Sequence, residues 1–282
     1  MNFGLSASPS STSRAVRGAH RLGLLLVVVA FFFPIVSVAA EAQVLPSRPV
    51  ATKAAGYESL LSLPRGYDPA AGRRWPLLVF LHGSGESGTD VHSVAVNGPP
   101  KLLRTDVTLT PEESAAAVEL AENFIVVSPQ CPDEGVAWED DKVLALIDQV
   151  QAQFHVDPDR VYLTGLSMGG YGAWSLALRH ADRFAAVAPI SGGGNYLDAL
   201  NAADGTAQHA AALRSLGLWV FHGAKDDVVP VSEATRMVDA LVKGGAKDVK
   251  LTVNADRGHD VWNVVYADVH FYEWLLQHRR GS

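Results

Sequence analysis

Val161-Tyr-Leu-Thr-Gly165-Leu-Ser167-Met-Gly169-Gly170 joins an apolar strand to a helix through a G-x-S-x-G pattern. In so tight a strand-to-helix turn the serine takes a strained backbone position with its hydroxyl clear of the sheet. The flanking glycines let neighbouring backbones approach. Ser167 is therefore the first candidate nucleophile. Its setting supports this, because Arg160–Thr164 is rich in strand formers and Tyr171–His180 carries the apolar spacing of a helix packed on a sheet.

The same alternation extends in both directions. Tyr57–Pro64 reads as a first strand, and Trp75–Leu81, Phe124–Pro129, Ala185–Ile190 and Leu216–Phe221 are continuous apolar strands. Strands apolar on both faces imply a parallel sheet covered by helices. Helical patterns fall between them at Glu112–Glu122, Asp140–Phe154, Met168–His180 and Val231–Lys243, the last stopped by Gly244-Gly245. A strand at Val249–Val253 and one helix over about Val261–Gln277 close the chain. The order predicts an α/β, doubly wound, mostly parallel sheet with helices on both faces, whose ligands bind beyond the carboxyl ends of the strands.

The chain has 282 residues, 48% hydrophobic and 19% charged, enough for one large core. Arg14, Arg17 and Arg21 precede an apolar run from Leu22 to Ala40 and then the small-residue exit Ser37–Ala42. This predicts a signal peptide over 1–42, cleaved near 39–42, with a linker over 43–56 and a catalytic domain over 57–282. The apolar run is about 19 residues, so an uncleaved membrane anchor is the alternative. Cleavage after Ala40 removes three arginines and no acid, taking the net charge from −7 to −10. Such a surface attracts neither nucleic acid nor anionic lipid. The single cysteine, Cys131, has no partner for an internal disulfide and reads as a small packed residue.

A serine hydroxyl needs a histidine base and a carboxylate to orient it. In the order serine, acid, histidine, each partner follows a later strand. Among ten histidines, His259 in Gly258-His259-Asp260 stands after the last strand, whereas His180, His209 and His278 fall on helices or their flanks. The strand ending at Phe221 runs into His222-Gly-Ala-Lys-Asp226-Asp227-Val-Val-Pro230, so Asp226 and Asp227 compete for the acid's role. The other acid is free to cap the following helix. An oxyanion formed at Ser167 needs N–H donors, one from Met168 and one from the Gly-rich loop His82–Gly88, at Gly83 or Ser84. That loop lacks the G-K-[ST] of a phosphate site and a convincing dinucleotide context. His82, Glu86 and His92 lack metal-site spacing, and His82 reads as a brace for the loop.

With these segments together the chain resembles α/β-hydrolase esterases related to dienelactone hydrolase, phospholipase/carboxylesterase and feruloyl-esterase-like proteins. The likeness runs from about Tyr57 to the C-terminus. It is carried by Trp75–Asp90, Asn97–Leu102, Val127–Pro132, Asp157–Gly170, His222–Pro230 and Gly258–Asp260. In the family's H-G-x-x-D-x-x-V-P pattern the acid is the fourth residue after the histidine, which implies Asp226. The resemblance places the second oxyanion donor at Ser84, beside Met168. Asn254–Arg257 departs from the proline-containing turn more usual there.

The resemblance implies a serine carboxylic-ester hydrolase using Ser167, Asp226 and His259, without metal or organic cofactor. Its partner would be a small-molecule ester, with a membrane involved only if the leader is retained. A peptidase or thioesterase of the same fold and a non-catalytic scaffold are the alternatives. Trp138, Tyr196 and Trp262 fall in or near loops after predicted strands, where each stacks against an acyl or aromatic group or else packs in the core, and Trp138 and Trp262 are the candidates for contact with the substrate.

Overall fold

The computed structural model describes residues 48–50, 57–133, 137–201 and 206–281, the first three by their backbone alone. The expected leader and most of the linker lie outside them. Strands β1 (Arg48–Val50), β2 (Ser59–Ser62), β3 (Trp75–Leu81), β4 (Ile125–Pro129), β5 (Val156–Leu166), β6 (Ala186–Ile190), β7 (Gly217–Gly223) and β8 (Val249–Asn254) form one sheet in the order β1-β2-β4-β3-β5-β6-β7-β8. From β4 to β8 every neighbouring pair is parallel, while β2 runs antiparallel to both β1 and β4.

The helices are α1 (Gly98–Leu102), α2 (Pro111–Asn123), α3 (Asp140–Gln153), α4 (Met168–Arg179), α5 (Tyr196–Asn201), α6 (Ala207–Ser215), α7 (Val231–Lys243), α8 (Trp262–Tyr266) and α9 (Val269–Leu276). β3 shows why both faces need cover. Leu77, Val79 and Leu81 join a core with Ile147 of α3, Trp174 of α4 and Met237 of α7. Leu78 and Phe80 join a second core with Leu120 of α2 and Phe271 of α9. Period-two alternation sends successive apolar side chains to opposite faces, so a strand buried on both reads as one unbroken apolar run.

β3 lies between β4 and β5, so the chain leaves it to one side and returns to the other. The carboxyl ends of β3 and β5 flank this switch point, where a crevice opens in doubly wound sheets. Its floor is backbone on backbone. A Cβ on Gly169 of α4 would stand 2.0 Å from Leu81 O, and one on Gly165 would stand 2.2 Å from Gly169 O. A helical glycine costs about 1 kcal/mol relative to alanine, a cost this seating of α4 on β3 requires.

Three expectations are corrected. Arg48–Val50, read within the linker, adds an edge strand on β2; three residues outside any apolar run leave no periodic signal. The single closing helix is two, because Asp268 adopts an extended backbone and its carboxylate accepts the N–H of His270 at 3.0 Å. Aspartate competes for backbone partners in this way and starts a new helix. Helix α7 has Pro230 at its N-cap position and no side-chain cap, so the spare acid Asp227 takes no capping role there and is exposed.

Candidate active site

Ser167 sits between β5 and α4 with φ 52° and ψ −116°, a left-handed conformation that a serine rarely adopts. Its N–H is held by Ile190 O of β6 at 2.9 Å. The turn therefore presents Oγ above the switch point while the backbone is fixed from below.

His259 comes from the loop after β8. That loop is fastened to the loop after β7: Ala224 N–H donates to Asn254 O at 3.0 Å, and Lys225 N–H to Arg257 O at 2.9 Å. A Cβ on Gly223 would fall 2.1 Å from Gly258 O, so the two backbones touch where the glycine permits it. The zipped loops carry Asp226 under His259. Its Nδ1 lies 2.8 Å from Asp226 Oδ2 and 3.0 Å from Oδ1, and its Nε2 lies 2.9 Å from Ser167 Oγ. A carboxylate only accepts, so Nδ1 carries the proton and Nε2 is left to accept from the serine hydroxyl.

The Asp226 side chain is inaccessible to solvent. Burial pushes its carboxyl up, but the bonds from His259 and from the N–H groups of Val229 (2.8 Å) and Val228 (3.0 Å) outweigh this and hold it below the usual carboxylate range. It stays ionised beside the imidazole. Asp227, the competing acid, points to solvent.

The loop after β3 forms the opposite wall. A Cβ on Gly83 would meet Leu166 Cδ1 at 2.8 Å and Ser167 Cβ at 3.5 Å, so the loop backbone passes directly over the serine. His82 is fully buried. Its Nδ1 donates to Gly83 O at 2.6 Å, and its Nε2 accepts Cys131 N–H at 2.9 Å. Burial takes its pKa down to about 4, so it remains a neutral brace. Glu86 accepts from Asn97 Nδ2, and His92 is exposed, so these two do not converge with His82 on a common point. Cys131 is buried, and burial raises its thiol pKa, away from nucleophilic character.

A cleft of about 520 Å³ opens beside Ser167, lined by Ser84, Trp138, Met168, Tyr171 and Ser175 among others. The N–H of Met168 lies in the first turn of α4, where no carbonyl of the helix can accept it. Trp138 forms part of this wall and is anchored by Nε1 donating to His82 O at 3.3 Å. Trp262 stands elsewhere: its ring meets the His259 imidazole edge-on, with centroids 5.1 Å apart, and is absent from the cleft lining. Tyr196 packs on the core, with Arg236 over its ring at 5.8 Å. A larger cavity, about 580 Å³, lies between α2 and α8–α9 and is lined by none of the candidate site residues.

Two contributors escaped the sequence reading. Ser191, after β6, has φ 48° and donates through Oγ to His259 O at 2.7 Å, tethering the histidine's backbone. The glycine run that follows it is a turn signal, but nothing in it specifies this bond. His222 lies against Asp226, with its Nε2 3.2 Å from Oδ2.

Residues 57–274 match the Esterase family model. A protein of Aspergillus terreus described as probable feruloyl esterase C is 30% identical over 192 residues, 67% of this chain and 62% of that protein. Feruloyl esterase C of Emericella nidulans is 28% identical over 66% of this chain and 61% of its own length. The matched region thus spans about three fifths of these relatives. A solved thermostable esterase superposes with TM-score 0.64 at 26% identity, covering 85% of this chain and 64% of that one. A ferulic acid esterase shares the fold with TM-score 0.60 at 19% identity, over 81% of this chain and 97% of that one. The chain belongs to the Esterase family, on an α/β-hydrolase fold.

Proposed function

We propose that this chain is an exported carboxylic-ester hydrolase acting through Ser167, His259 and Asp226 by way of an acyl-enzyme. The observation that carries this reading is the unbroken bond chain from Ser167 Oγ to His259 to the buried Asp226. His259 Nε2 takes the hydroxyl proton as Oγ attacks the ester carbonyl, and Asp226 stabilises the imidazolium that forms. The backbone N–H groups of Met168 and Ser84 face the developing oxyanion, each worth about 2.7–4 kcal/mol in sites of this kind. The positive end of α4 adds to that field. Protonation of the leaving oxygen by His259 expels the alcohol. Water, activated by the same imidazole, then releases the acid.

The relatives described as feruloyl esterases support an ester of an aromatic acid, and Trp138 and Tyr171 supply aromatic surface along the cleft. Export is supported by the basic, apolar and small-residue order of the first 42 residues. Methyl ferulate and p-nitrophenyl acetate assayed with wild type and Ser167→Ala test the reading. Turnover in the folded variant falls on the order of 10⁶-fold. Rates within about twofold of wild type would remove Ser167 from the mechanism.

A further inference from the structure

His222, the last side chain of β7 before Gly223, is fully buried, and the reaction just described leaves it without a role. Its Nε2 faces two acceptors at once. Val229 O lies at 2.8 Å and Asp226 Oδ2 at 3.2 Å. Neither a carbonyl nor an ionised carboxylate can donate, so the proton between them must be on Nε2. The other nitrogen, Nδ1, is buried without a hydrogen-bond partner. A buried polar atom left unmatched costs roughly 1–3 kcal/mol, which an apolar side chain at this position would avoid.

Val229 is tied to the same carboxylate from the other direction, its N–H donating to Asp226 Oδ1 at 2.8 Å. One imidazole edge therefore bonds the loop that cradles Oδ1, through Val229 O, and stands 3.2 Å from the oxygen Oδ2 that receives His259 Nδ1. We infer that His222 is a positioning residue: its Nε2–H locks the Asp226 carboxylate in the orientation that aims His259 at Ser167. Without it, Val229 O and Asp226 Oδ2 become two close acceptors in a dry site with no proton between them, and the carboxylate turns away from its neighbour. His222 touches neither substrate nor the reacting hydroxyl, so its loss acts on kcat and leaves KM in place.

This inference rests on the ester-hydrolase reading, and the test separates the two. Active sites of wild type, His222→Phe and His222→Gln are counted with a fluorophosphonate, and ester turnover is expressed per labelled serine. The phenylalanine keeps a ring without a donor, and kcat drops roughly ten- to hundredfold as the Val229 loop and the carboxylate it cradles shift, with KM within about twofold. The glutamine, whose amide nitrogen reaches the position of Nε2, recovers most of the loss. In 15N spectra of wild type, His222 carries its proton on Nε2. Wild-type kcat in folded His222→Phe, or a bare Nε2 in the spectra, overturns the inference. Should the phenylalanine variant fail to fold, the glutamine's kcat and the wild-type spectrum decide: near-wild-type turnover with a proton on Nε2 supports it, and a bare Nε2 overturns it. A wild-type serine that does not label would instead overturn the hydrolase reading itself.

Discussion

Asp157 and Asp226 are both buried carboxylates held below the ordinary range, yet they stand at opposite ends of the sheet and are stabilised by opposite means. Asp157 enters β5 at its amino end. Burial pushes its carboxyl up, and this is outweighed by Arg160 Nε at 2.7 Å, by the N–H of Asp159 at 3.1 Å and by Arg279 at 3.1 Å. Asp226, beyond the carboxyl end of β7, is met by imidazole and backbone N–H groups and by no guanidinium among its named partners. A guanidinium keeps its proton at every working pH, so the Asp157 cluster clamps the chain and can do nothing else. An imidazole can gain a proton and give it up, so the charge of Asp226 becomes useful only when that transfer occurs. On the proposed mechanism the comparison separates a carboxylate that holds the fold from one arranged to serve a reaction.

Asparagine at each position breaks the comparison cleanly. Asp226→Asn preserves the shape but offers the imidazole the wrong partner, and kcat falls about 10⁴-fold, while circular dichroism and melting remain near those of wild type. A loss below about tenfold would mean that His259 is oriented by something else. Asp157→Asn leaves kcat per labelled serine unchanged and lowers stability by about 1–2 kcal/mol, a modest loss because its arginine partners are partly exposed and screened.

The Asp157 effect also has a sign in pH. A carboxyl with a lowered folded pKa adds stability that is fully present above its unfolded value, near 3.8, and disappears as pH falls through the folded value. The gap in Tm between wild type and Asp157→Asn is therefore constant near neutrality and closes below pH 3.8. A gap that widens in acid would contradict the assignment of Arg160 and Arg279 as its partners.

Much of the architecture was legible because burial on both faces leaves a plain mark. β3, β4, β6 and β7 are apolar runs, and α4 announces itself through the elbow before it. The edge strand β1, three residues long, and the short α5 and α6 lack such runs. The break at Asp268 turns on one side-chain bond rather than on periodicity.

At the site, Ser167 and His259 could be named from strand-end position. Choosing Asp226 over Asp227 by residues alone was not possible, because the choice depends on the zipping of two loops distant in sequence. The family pattern named the same carboxylate that the folded loops place under His259. The bond from Ser191 to His259 O is of this nonlocal kind too, whereas His222 meets Asp226 and Val229 within its own loop, through the way that loop turns. Trp138 and Trp262 looked alike in sequence, but one lines the cleft and the other abuts the imidazole.

The most direct test of the central claim is peptide mass mapping after rapid acid quenching of wild type mixed with excess p-nitrophenyl acetate. The account predicts one acetyl group on the peptide containing Ser167, formed in a burst together with nitrophenolate and absent from Ser167→Ala. Full turnover with an acyl group on another residue, or an undiminished burst in Ser167→Ala, would contradict it.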